Sequence, residues 1–175
     1  MTHLHRVTTT VTSFPPLSSA DAELLILGSM PGKASLRANQ YYAHPRNAFW
    51  CLIESIYGVD RQLPYKDRCE QLQYHKVAVW DVLNTCIRKS SLDADIIGTS
   101  IVANDFEHFF TAHQNIRCIF FNGVMAEKSY RRYVLPGLPA AMGGIPTVRL
   151  PSTSPAHAAM NIEQKLALWK QIRKV

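Results

Sequence analysis

The hydrophobic residues of this 175-residue chain fall into short apolar runs separated by longer amphipathic segments. Four apolar runs predict β-strands, over residues 23–28, 76–83 and 116–123 and from residue 146 onward. Apolar residues recur at helical spacing in four further segments, over residues 47–58, 102–113, 124–135 and 161–175. Because these strands alternate with helices, we expect an α/β fold with a parallel sheet between two helical layers.

The first twenty residues show no such pattern and are rich in Thr, Ser and Pro. We interpret residues 1–20 as a mobile polar lead-in and residues 21–175 as a single domain, which is long enough to form its own core. Residues 84–96, NTCIRKSSLDADI, are interpreted as a polar turn after the second strand.

The composition is that of a globular protein with an excess of positive charge. Hydrophobic residues make up 47% of the chain and charged residues 18%, which excludes an intrinsically disordered protein. The formal net charge of +6 favours a polyanion such as nucleic acid as a partner. No run of about twenty apolar residues is present, and the N-terminal residues lack the apolar core of a signal peptide. We therefore expect a cytoplasmic protein that is not inserted in a membrane.

The four cysteines, Cys51, Cys69, Cys86 and Cys118, are far apart and form no C-x-x-C pair. This spacing does not fit a zinc ribbon or an iron–sulfur site. We expect mostly reduced cysteines, no metal and no cofactor.

Polar or glycine-containing segments follow all four predicted strands. They are GSMPG (28–32), WDVLN with Asp81, FNG (121–123) and LPSTSP (150–155). Because ligands of parallel sheets bind beyond the carboxyl ends of the strands, this edge of the sheet is the candidate site.

Three of these segments have both a structural and a functional interpretation. GSMPG forms a tight turn, or it offers backbone N–H groups to a phosphate or a carbonyl oxygen. Asp81 caps the following turn, or it accepts a hydrogen bond from an N–H group of a ligand. Ser152, Thr153 and Ser154 stabilise their own loop, or they contact phosphate through hydroxyl and backbone N–H groups.

Aromatic residues are concentrated in the segment QYYAHPRNAFW, residues 40–50. Tyr41 and Tyr42 are adjacent, so on an extended segment one ring points inward and the other toward solvent. An inward ring beside a strand end is a stacking platform for a planar base. Phe49 and Trp50 lie in the apolar helix and are expected in the core.

Polar residues of the same segment also have two interpretations. Asn47 lies near the start of the predicted helix, where a helix cap is the structural alternative to a catalytic role. Arg46 and His44 either bind phosphate or are simply solvated.

Together these segments resemble the uracil-DNA glycosylase superfamily. GSMPG stands where that superfamily has its first motif, and LPSTSP where it has its second. YAHPRNAFW resembles the segment that follows the first motif in the mismatch-specific uracil/thymine glycosylases. The string GSMPG…QYY…RN.FW is most similar to the hypoxanthine-DNA glycosylase branch, the sixth family. The resemblance extends from about Phe14 to Ala158 and implies a three-layer α/β/α fold with a central four-stranded parallel sheet.

The resemblance also implies roles for individual residues. The mismatch-specific enzymes carry an Asn at the position of Met30, where it acts on the attacking water, whereas the hypoxanthine branch has its catalytic Asn at the position of Asn47. Tyr42 matches the stacking aromatic residue, and Asp81 replaces the base-reading Asn. The implied base-binding residues are Gly28, Ser29, Met30, Tyr42 and Asp81, and the implied DNA-binding residues are Pro31, Gly32, Arg46, Ser152, Thr153 and Ser154.

An ionised Asp81 only accepts hydrogen bonds. It would accept the N1–H of hypoxanthine or the N3–H of uracil, while backbone N–H groups donate to the neighbouring carbonyl oxygen of the base. Adenine has no proton at N1 and is disfavoured.

The implied function is that of a monomeric DNA glycosylase that starts base excision repair. Such an enzyme flips a deaminated base out of double-stranded DNA and hydrolyses its N-glycosidic bond, with single-stranded DNA left open as a further substrate. Two other functions remain open. One is a catalytically silent DNA-binding module, which Met30 favours, and the other is a hydrolase of small nucleosides or nucleotides.

Overall fold

The computed structural model of the chain describes residues 10–174. Its strands are β1 (Thr10–Thr12), β2 (Leu24–Gly28), β3 (Val77–Asp81), β4 (Leu83–Ile87), β5 (Val102–Ala103), β6 (Cys118–Asn122) and β7 (Thr147–Leu150). Its α-helices are α1 (Lys33–Ala38), α2 (Phe49–Tyr57), α3 (Tyr65–Tyr74), α4 (Phe106–Ala112), α5 (Val124–Tyr133), α6 (Ala140–Gly143) and α7 (Ile162–Trp169). Short 3₁₀ helices cover Asp93–Asp95, Gly98–Ser100, Leu135–Gly137 and Lys170–Lys174.

The central sheet consists of four parallel strands in the order β3-β2-β6-β7. Every residue of β2 and β3 is buried, as expected of strands that are covered on both faces. From β2 the chain first adds β3 on one side of the sheet and later β6 on the other side. This change of direction places the topological switch point at the carboxyl end of β2, which is where ligands bind in such sheets.

Helices α4 and α5 cover one face of the sheet. Trp80 of β3 packs against Phe106 and Phe109 of α4, with ring centroids 4.9 and 5.1 Å apart. Phe121 of β6 packs against Tyr130 of α5 at 5.3 Å. Trp80 and Phe121 pair with the same residue of β2, so both helices lie on one side.

Helices α2, α3 and α7 form the second helical layer. The rings of Phe49 in α2 and Trp169 in α7 lie 6.0 Å apart, edge to face. Trp50 of α2 meets Tyr65 of α3 at the same distance and geometry. Phe49 and Trp50 are both buried, which confirms their predicted place in the core. The three-layer α/β/α fold implied by the family resemblance is therefore confirmed.

The structure corrects the prediction of a mobile lead-in for residues 10–20. β1 pairs antiparallel with β4, and the backbone N–H and C=O groups of Leu17 bond to those of Val79 at 2.9 and 2.8 Å. These hydrogen bonds fix the segment against the edge of the central sheet. Residues 1–9 of the predicted lead-in lie outside the described residues.

A second, antiparallel sheet in the order β1-β4-β5 replaces the first part of the predicted polar turn over 84–96. The predicted strand over 76–83 is divided, because β3 ends at Asp81 and Leu83 already belongs to β4. The backbone N–H groups of Val82 and Leu83 donate to the carbonyl oxygens of Gly28 and Ser29, so the chain crosses the end of β2 at this point.

The predicted helices are present, with shorter bounds in the structure. α4 begins only at Phe106, because Asp105 caps it by accepting a hydrogen bond from the N–H of His108. α7 ends at Trp169, and the chain continues as a 3₁₀ turn to Lys174. Helices α1, α3 and α6 are additional to the prediction. In the described part of the chain, no helix has the length and apolar character to cross a membrane.

Candidate active site

A cavity of about 300 Å³ lies at the carboxyl edge of the central sheet, beside the end of β2. Its volume is at the lower end of the roughly 300–1,000 Å³ that is usual for small-molecule sites. Eleven of the twelve site residues predicted from the sequence line it, and Arg46 is the exception. The sheet edge that was predicted as the site is therefore the place where these residues meet.

Gly28 and Asp81 are direct neighbours in the sheet and form the inner end of the cavity. They pair in the register of β2 and β3, so both lie at the carboxyl ends of their strands. The Asp81 carboxyl lies over the backbone of Gly28, in the space that a side chain at position 28 would otherwise fill. Asp81 is only 3% exposed, and no described residue forms a hydrogen bond with its Oδ2 atom.

Burial raises the pKa of the Asp81 carboxyl from its ordinary value of 3.8 to about 8. The negative charge of Asp93 adds to this increase, and the positive charge of Arg88 opposes it. Asp93 is half-buried, and burial raises the pKa of its carboxyl as well. The hydrogen bond from Ser29 and the charge of Arg88 oppose this rise. The inner end of the cavity thus disfavours negative charge.

The GSMPG segment forms the turn between β2 and α1. The Ser29 hydroxyl donates to Oδ2 of Asp93 at 2.7 Å, which connects this turn to the segment after β4. Met30 is buried and contributes an apolar side chain to the cavity wall. The Pro31 carbonyl accepts a hydrogen bond from the buried Arg88 guanidinium and is therefore directed inward. Gly32 occupies the N-cap position of α1.

Tyr41 and Tyr42 do not lie on an extended segment, because Tyr42 has a left-handed backbone with φ of 56°. Their rings therefore do not point to opposite sides as predicted for an extended chain. Tyr41 is buried, and its hydroxyl donates to the Pro15 carbonyl at 2.9 Å. Tyr42 is half-buried, lines the cavity, and stacks one ring face on Phe49 with centroids 4.0 Å apart. No described residue forms a hydrogen bond of good geometry with the Tyr42 hydroxyl. Burial and the nearby Asp81 charge raise the pKa of Tyr42, and the Asn122 side chain opposes this rise.

Asn47 lies at the start of α2 and also at the cavity wall. Its Oδ1 accepts a hydrogen bond from the Phe49 N–H at 2.9 Å, which caps the start of α2. Asn47 also lines the cavity. An amide oxygen has a second lone pair and an amide nitrogen has two donors, so the cap leaves hydrogen-bonding capacity for a ligand. The Ala48 N–H donates to the Thr153 carbonyl at 3.0 Å, which joins this segment to the LPSTSP loop.

Asn122, at the end of β6, holds the LPSTSP loop through Thr153. Its Oδ1 accepts from the Thr153 N–H, and its Nδ2 donates to the Thr153 hydroxyl, both at 2.8 Å. The Thr153 residue is only 1% exposed. The Thr153 hydroxyl thus lies inside the fold and accepts from Asn122, and the phosphate contact expected of Thr153 stays a prediction.

Ser152 and Ser154 stay at the cavity wall with partly exposed side chains. The Ser152 hydroxyl accepts from the Ser154 N–H, and the Ser154 hydroxyl accepts from the Ala156 N–H, both at 3.2 Å. A hydroxyl that accepts a backbone N–H keeps its own proton for donation. Both serines can thus donate to an anion at the mouth of the cavity.

Arg46 is exposed and does not line the cavity. Its backbone N–H donates to Nδ1 of His44 at 3.1 Å, and His44 does line the cavity. The Arg46 backbone therefore lies next to the cavity wall, and its side chain is exposed to solvent.

The sequence interpretation assigned no role to Asn122, Asp93 or Arg88. FNG was noted as a polar strand end, which was a usable signal for Asn122. Asp93 and Arg88 lie in the segment interpreted as a turn. The loop after β4 brings Asp93 to the cavity, and Arg88 bonds to the carbonyl of Pro31 in the cavity wall. Among residues 10–174, no cluster of three or more His, Cys, Asp or Glu residues is suited to hold a metal ion.

The profile of the uracil DNA glycosylase superfamily matches residues 15–173. The chain belongs to this superfamily. The hypoxanthine DNA glycosylase of Methanosarcina barkeri is 40% identical over 111 residues, which cover 63% of this chain and 69% of the relative. The hypoxanthine DNA glycosylase of Methanosarcina acetivorans is 34% identical over 145 residues, which cover 82% of this chain and 86% of the relative.

The fold is also similar to a solved structure. A solution NMR structure of a Methanosarcina acetivorans protein, provisionally described as a uracil DNA glycosylase, superimposes with a TM-score of 0.75 at 30% sequence identity. The match covers 94% of this chain and 99% of the other. The superfamily resemblance carried by GSMPG, LPSTSP and the segment between them is thus confirmed.

Proposed function

We propose that this chain is a monomeric DNA glycosylase that removes hypoxanthine from double-stranded DNA. The observation that carries the proposal is the unpartnered Asp81 carboxyl beside the Tyr42 ring at the inner end of the cavity. Stacking and edge recognition of one planar base need such a pair. Two relatives are named hypoxanthine DNA glycosylase, and they share 40% and 34% sequence identity with this chain. Uracil and xanthine present the same adjacent N–H and carbonyl groups, so they are the other candidate bases.

The flipped base stacks on the ring of Tyr42, whose other face rests on Phe49. Stacking of a base on an aromatic side chain contributes about 1–3 kcal/mol and does not select one base. Recognition of the hydrogen-bonding edge of the base is assigned to Asp81, at the inner end of the cavity. Gly28 and Ser29 line the cavity at the same end.

Asn47 positions the water that attacks C1′ of the deoxyribose. The water oxygen forms a bond to C1′, and the electron pair of the C1′–N9 bond moves to the leaving base. One water proton passes to solvent, and the base takes up a proton after departure. The Asn47 amide is a weak base, so it orients the water, and most of the stabilisation comes from hydrogen bonds to the base.

The DNA backbone is held at the mouth of the cavity. The hydroxyls of Ser152 and Ser154 accept backbone N–H groups and keep their own protons for donation, and we assign them to a phosphate. Arg46 adds a charged contact from the solvent side. The net charge of +6 favours attraction of the polymer over attraction of a free nucleoside.

The test is a panel of duplex oligonucleotides, each with one deoxyinosine, deoxyuridine or deoxyxanthosine, and an unmodified duplex as the control. We expect abasic sites in the deoxyinosine duplex under single-turnover conditions, and none in the control. The same panel as single strands measures strand preference. Binding without abasic sites on any duplex would instead favour a silent DNA-binding module, and release of hypoxanthine from free deoxyinosine would favour a nucleoside hydrolase.

A further inference from the structure

The Asp81 carboxyl lacks the partners that a buried carboxylate needs. Asp81 is only 3% exposed, and its Oδ2 has no hydrogen-bond partner among residues 10–174. Asp81 takes part in none of the ion pairs in that part of the chain. A carboxylate in such a place loses its hydration without compensation, so the neutral acid is the favoured form.

The charged and titratable groups around Asp81 come from three parts of the fold. They are Lys33 of α1, Tyr41, Tyr42 and His44 of the segment before α2, and Arg88 and Asp93 of the segment after β4. The negative charge of Asp93 disfavours a charge on Asp81. Arg88 is the cation that favours it, but this guanidinium is directed to the Pro31 carbonyl and forms no ion pair with Asp81. Burial, together with the charge of Asp93, raises the pKa of Asp81 to about 8 against the opposing charge of Arg88.

We propose that Asp81 binds the flipped base as a neutral carboxylic acid, with its carbonyl oxygen accepting the N–H of the base and its hydroxyl donating to the adjacent carbonyl oxygen. This inference deepens the proposed glycosylase function and rests on it. It differs from the ionised acceptor expected from the sequence. A carboxylic acid and an amide both present one donor and one acceptor side by side. Asp81 in this form therefore offers hypoxanthine N1–H and O6 the same pair of contacts as an Asn.

The proton on Asp81 also contributes to the chemistry of bond cleavage. When the C1′–N9 bond breaks, its electron pair leaves with the base, and part of the negative charge spreads to O6. A hydrogen bond from the Asp81 hydroxyl to O6 becomes stronger as this charge develops, which stabilises the transition state more than the bound substrate. Asp81 keeps its proton throughout. An ionised Asp81 would instead repel the leaving base.

Recognition by a neutral acid has a consequence for adenine. A carboxyl can carry its proton on either oxygen, so it also matches the N1 acceptor and the exocyclic amine of adenine. Rejection of adenine then depends on flipping, because extrusion from an intact pair costs more than extrusion of a mispaired deaminated base.

The test is the single-turnover rate of hypoxanthine release from a deoxyinosine duplex between pH 5.5 and pH 10, with wild type, Asp81→Asn and Asp93→Asn. We expect the wild-type rate to fall about tenfold per pH unit above about pH 8, because one proton is lost from the active form. Asp81→Asn has no such proton, so its rate falls only where N1–H of the base itself titrates. Asp93→Asn keeps an acceptor for Ser29 but removes a negative charge, so its decline begins at a lower pH than in wild type.

A second readout is independent of turnover. Infrared difference spectra of wild type minus Asp81→Asn should contain the C=O band of a protonated carboxyl at pH 7, and this band should disappear above about pH 8. Coincident pH profiles of wild type and Asp81→Asn, or a wild-type rate that rises through pH 8, would overturn the neutral-acid role and leave the glycosylase function intact. No hypoxanthine release at any pH would overturn the proposed function itself, and the base-reading role with it.

Discussion

The Oδ1 atom of Asp81 lies 2.5 Å from the point where a Cβ atom on Gly28 would stand. The same point is 3.2 Å from the Tyr42 hydroxyl oxygen. Any side chain at position 28 would thus displace the carboxyl or the ring. Gly28 is required here for close approach and not for an unusual backbone angle, because its φ is not positive.

The first prediction concerns Gly28→Ala. The methyl group should move Asp81 out of place and reduce the single-turnover rate on deoxyinosine by at least about tenfold, the scale of one weakened hydrogen-bond pair, or about 1.4 kcal/mol. Gly137→Ala is the matched control, since a Cβ there meets nothing within 4 Å. Equal rates for the two variants and wild type would contradict a base-reading role for the Gly28–Asp81 end of the cavity.

The second prediction separates the cap and the catalytic role of Asn47. Asn47→Ala should lose about two orders of magnitude or more in rate, and only about 1 kcal/mol in the free energy of unfolding. Asn161→Ala is the control, because Asn161 caps α7 through the Gln164 N–H and does not line the cavity. That variant should show a similar stability loss with an unchanged rate. If Asn47→Ala turned over as fast as Asn161→Ala, Asn47 would be a helix cap only.

Sequence patterns predicted the parallel sheet and its site edge because both depend on local signals. Apolar runs such as β2 and polar strand ends such as Asp81 are visible without knowledge of distant contacts. The second sheet was not predicted, since β1 and β4 pair over more than seventy residues and β5 has only two residues. In β4 the buried residues Leu83 and Cys86 are three positions apart, so the strand does not show the usual alternation.

The protonation state of Asp81 could not be predicted from the sequence, because it too depends on contacts between distant residues. It depends on complete burial and on Asp93, which is brought to the cavity only by the loop that follows β4. The burial of Thr153 was not predicted, because it depends on Asn122, thirty-one residues earlier in the chain. Long-range packing, and not residue type, decided both outcomes.

The third prediction concerns the ring of Tyr42. Tyr42→Phe keeps the stack on Phe49 and removes a buried hydroxyl without a described partner, so rate and melting temperature should equal or exceed those of wild type. Tyr42→Ala should weaken binding of the deoxyinosine duplex by about 1–3 kcal/mol. Both are measured by titration of a labelled duplex and by thermal unfolding. An equal loss of duplex affinity in Tyr42→Phe and Tyr42→Ala would show that the Tyr42 hydroxyl, and not stacking on the ring, contributes to base binding.

The fourth prediction concerns stability as a function of pH. The pKa of Asp81 is raised in the folded state, from 3.8 to about 8, so the native protein holds a proton that the unfolded chain releases in this range. The contribution of this proton to the free energy of unfolding is complete below about pH 4 and is lost as pH rises toward 8. The loss is at most about 1.4 kcal/mol per pH unit for one proton. Asp81→Asn should therefore be more stable than wild type at pH 8.

Urea unfolding at pH 5 and pH 8 measures this difference. The gain from Asp81→Asn should be larger at pH 8, and the exposed Asp21→Asn should serve as a control with little effect at either pH. Asp93 has a raised pKa too, so Asp93→Asn should show a smaller change in the same direction. A stability gain for Asp81→Asn that is the same at both pH values would argue against a titrating buried carboxyl.

The last prediction concerns salt and the DNA backbone. Affinity for duplex DNA should fall linearly with salt on logarithmic axes, because bound phosphates release counterions. Arg46→Ala should reduce the slope by about one unit if its guanidinium meets a phosphate. Arg61→Ala is the control, since Arg61 pairs with Glu54 at 3.4 Å and does not line the cavity, and its slope should match that of wild type. Ser152→Ala and Ser154→Ala remove neutral donors, so they should lower affinity at every salt concentration and leave the slope nearly intact. A wild-type slope for Arg46→Ala would show that Arg46 points away from the DNA, and the phosphate contact would then be assigned to the two serines alone.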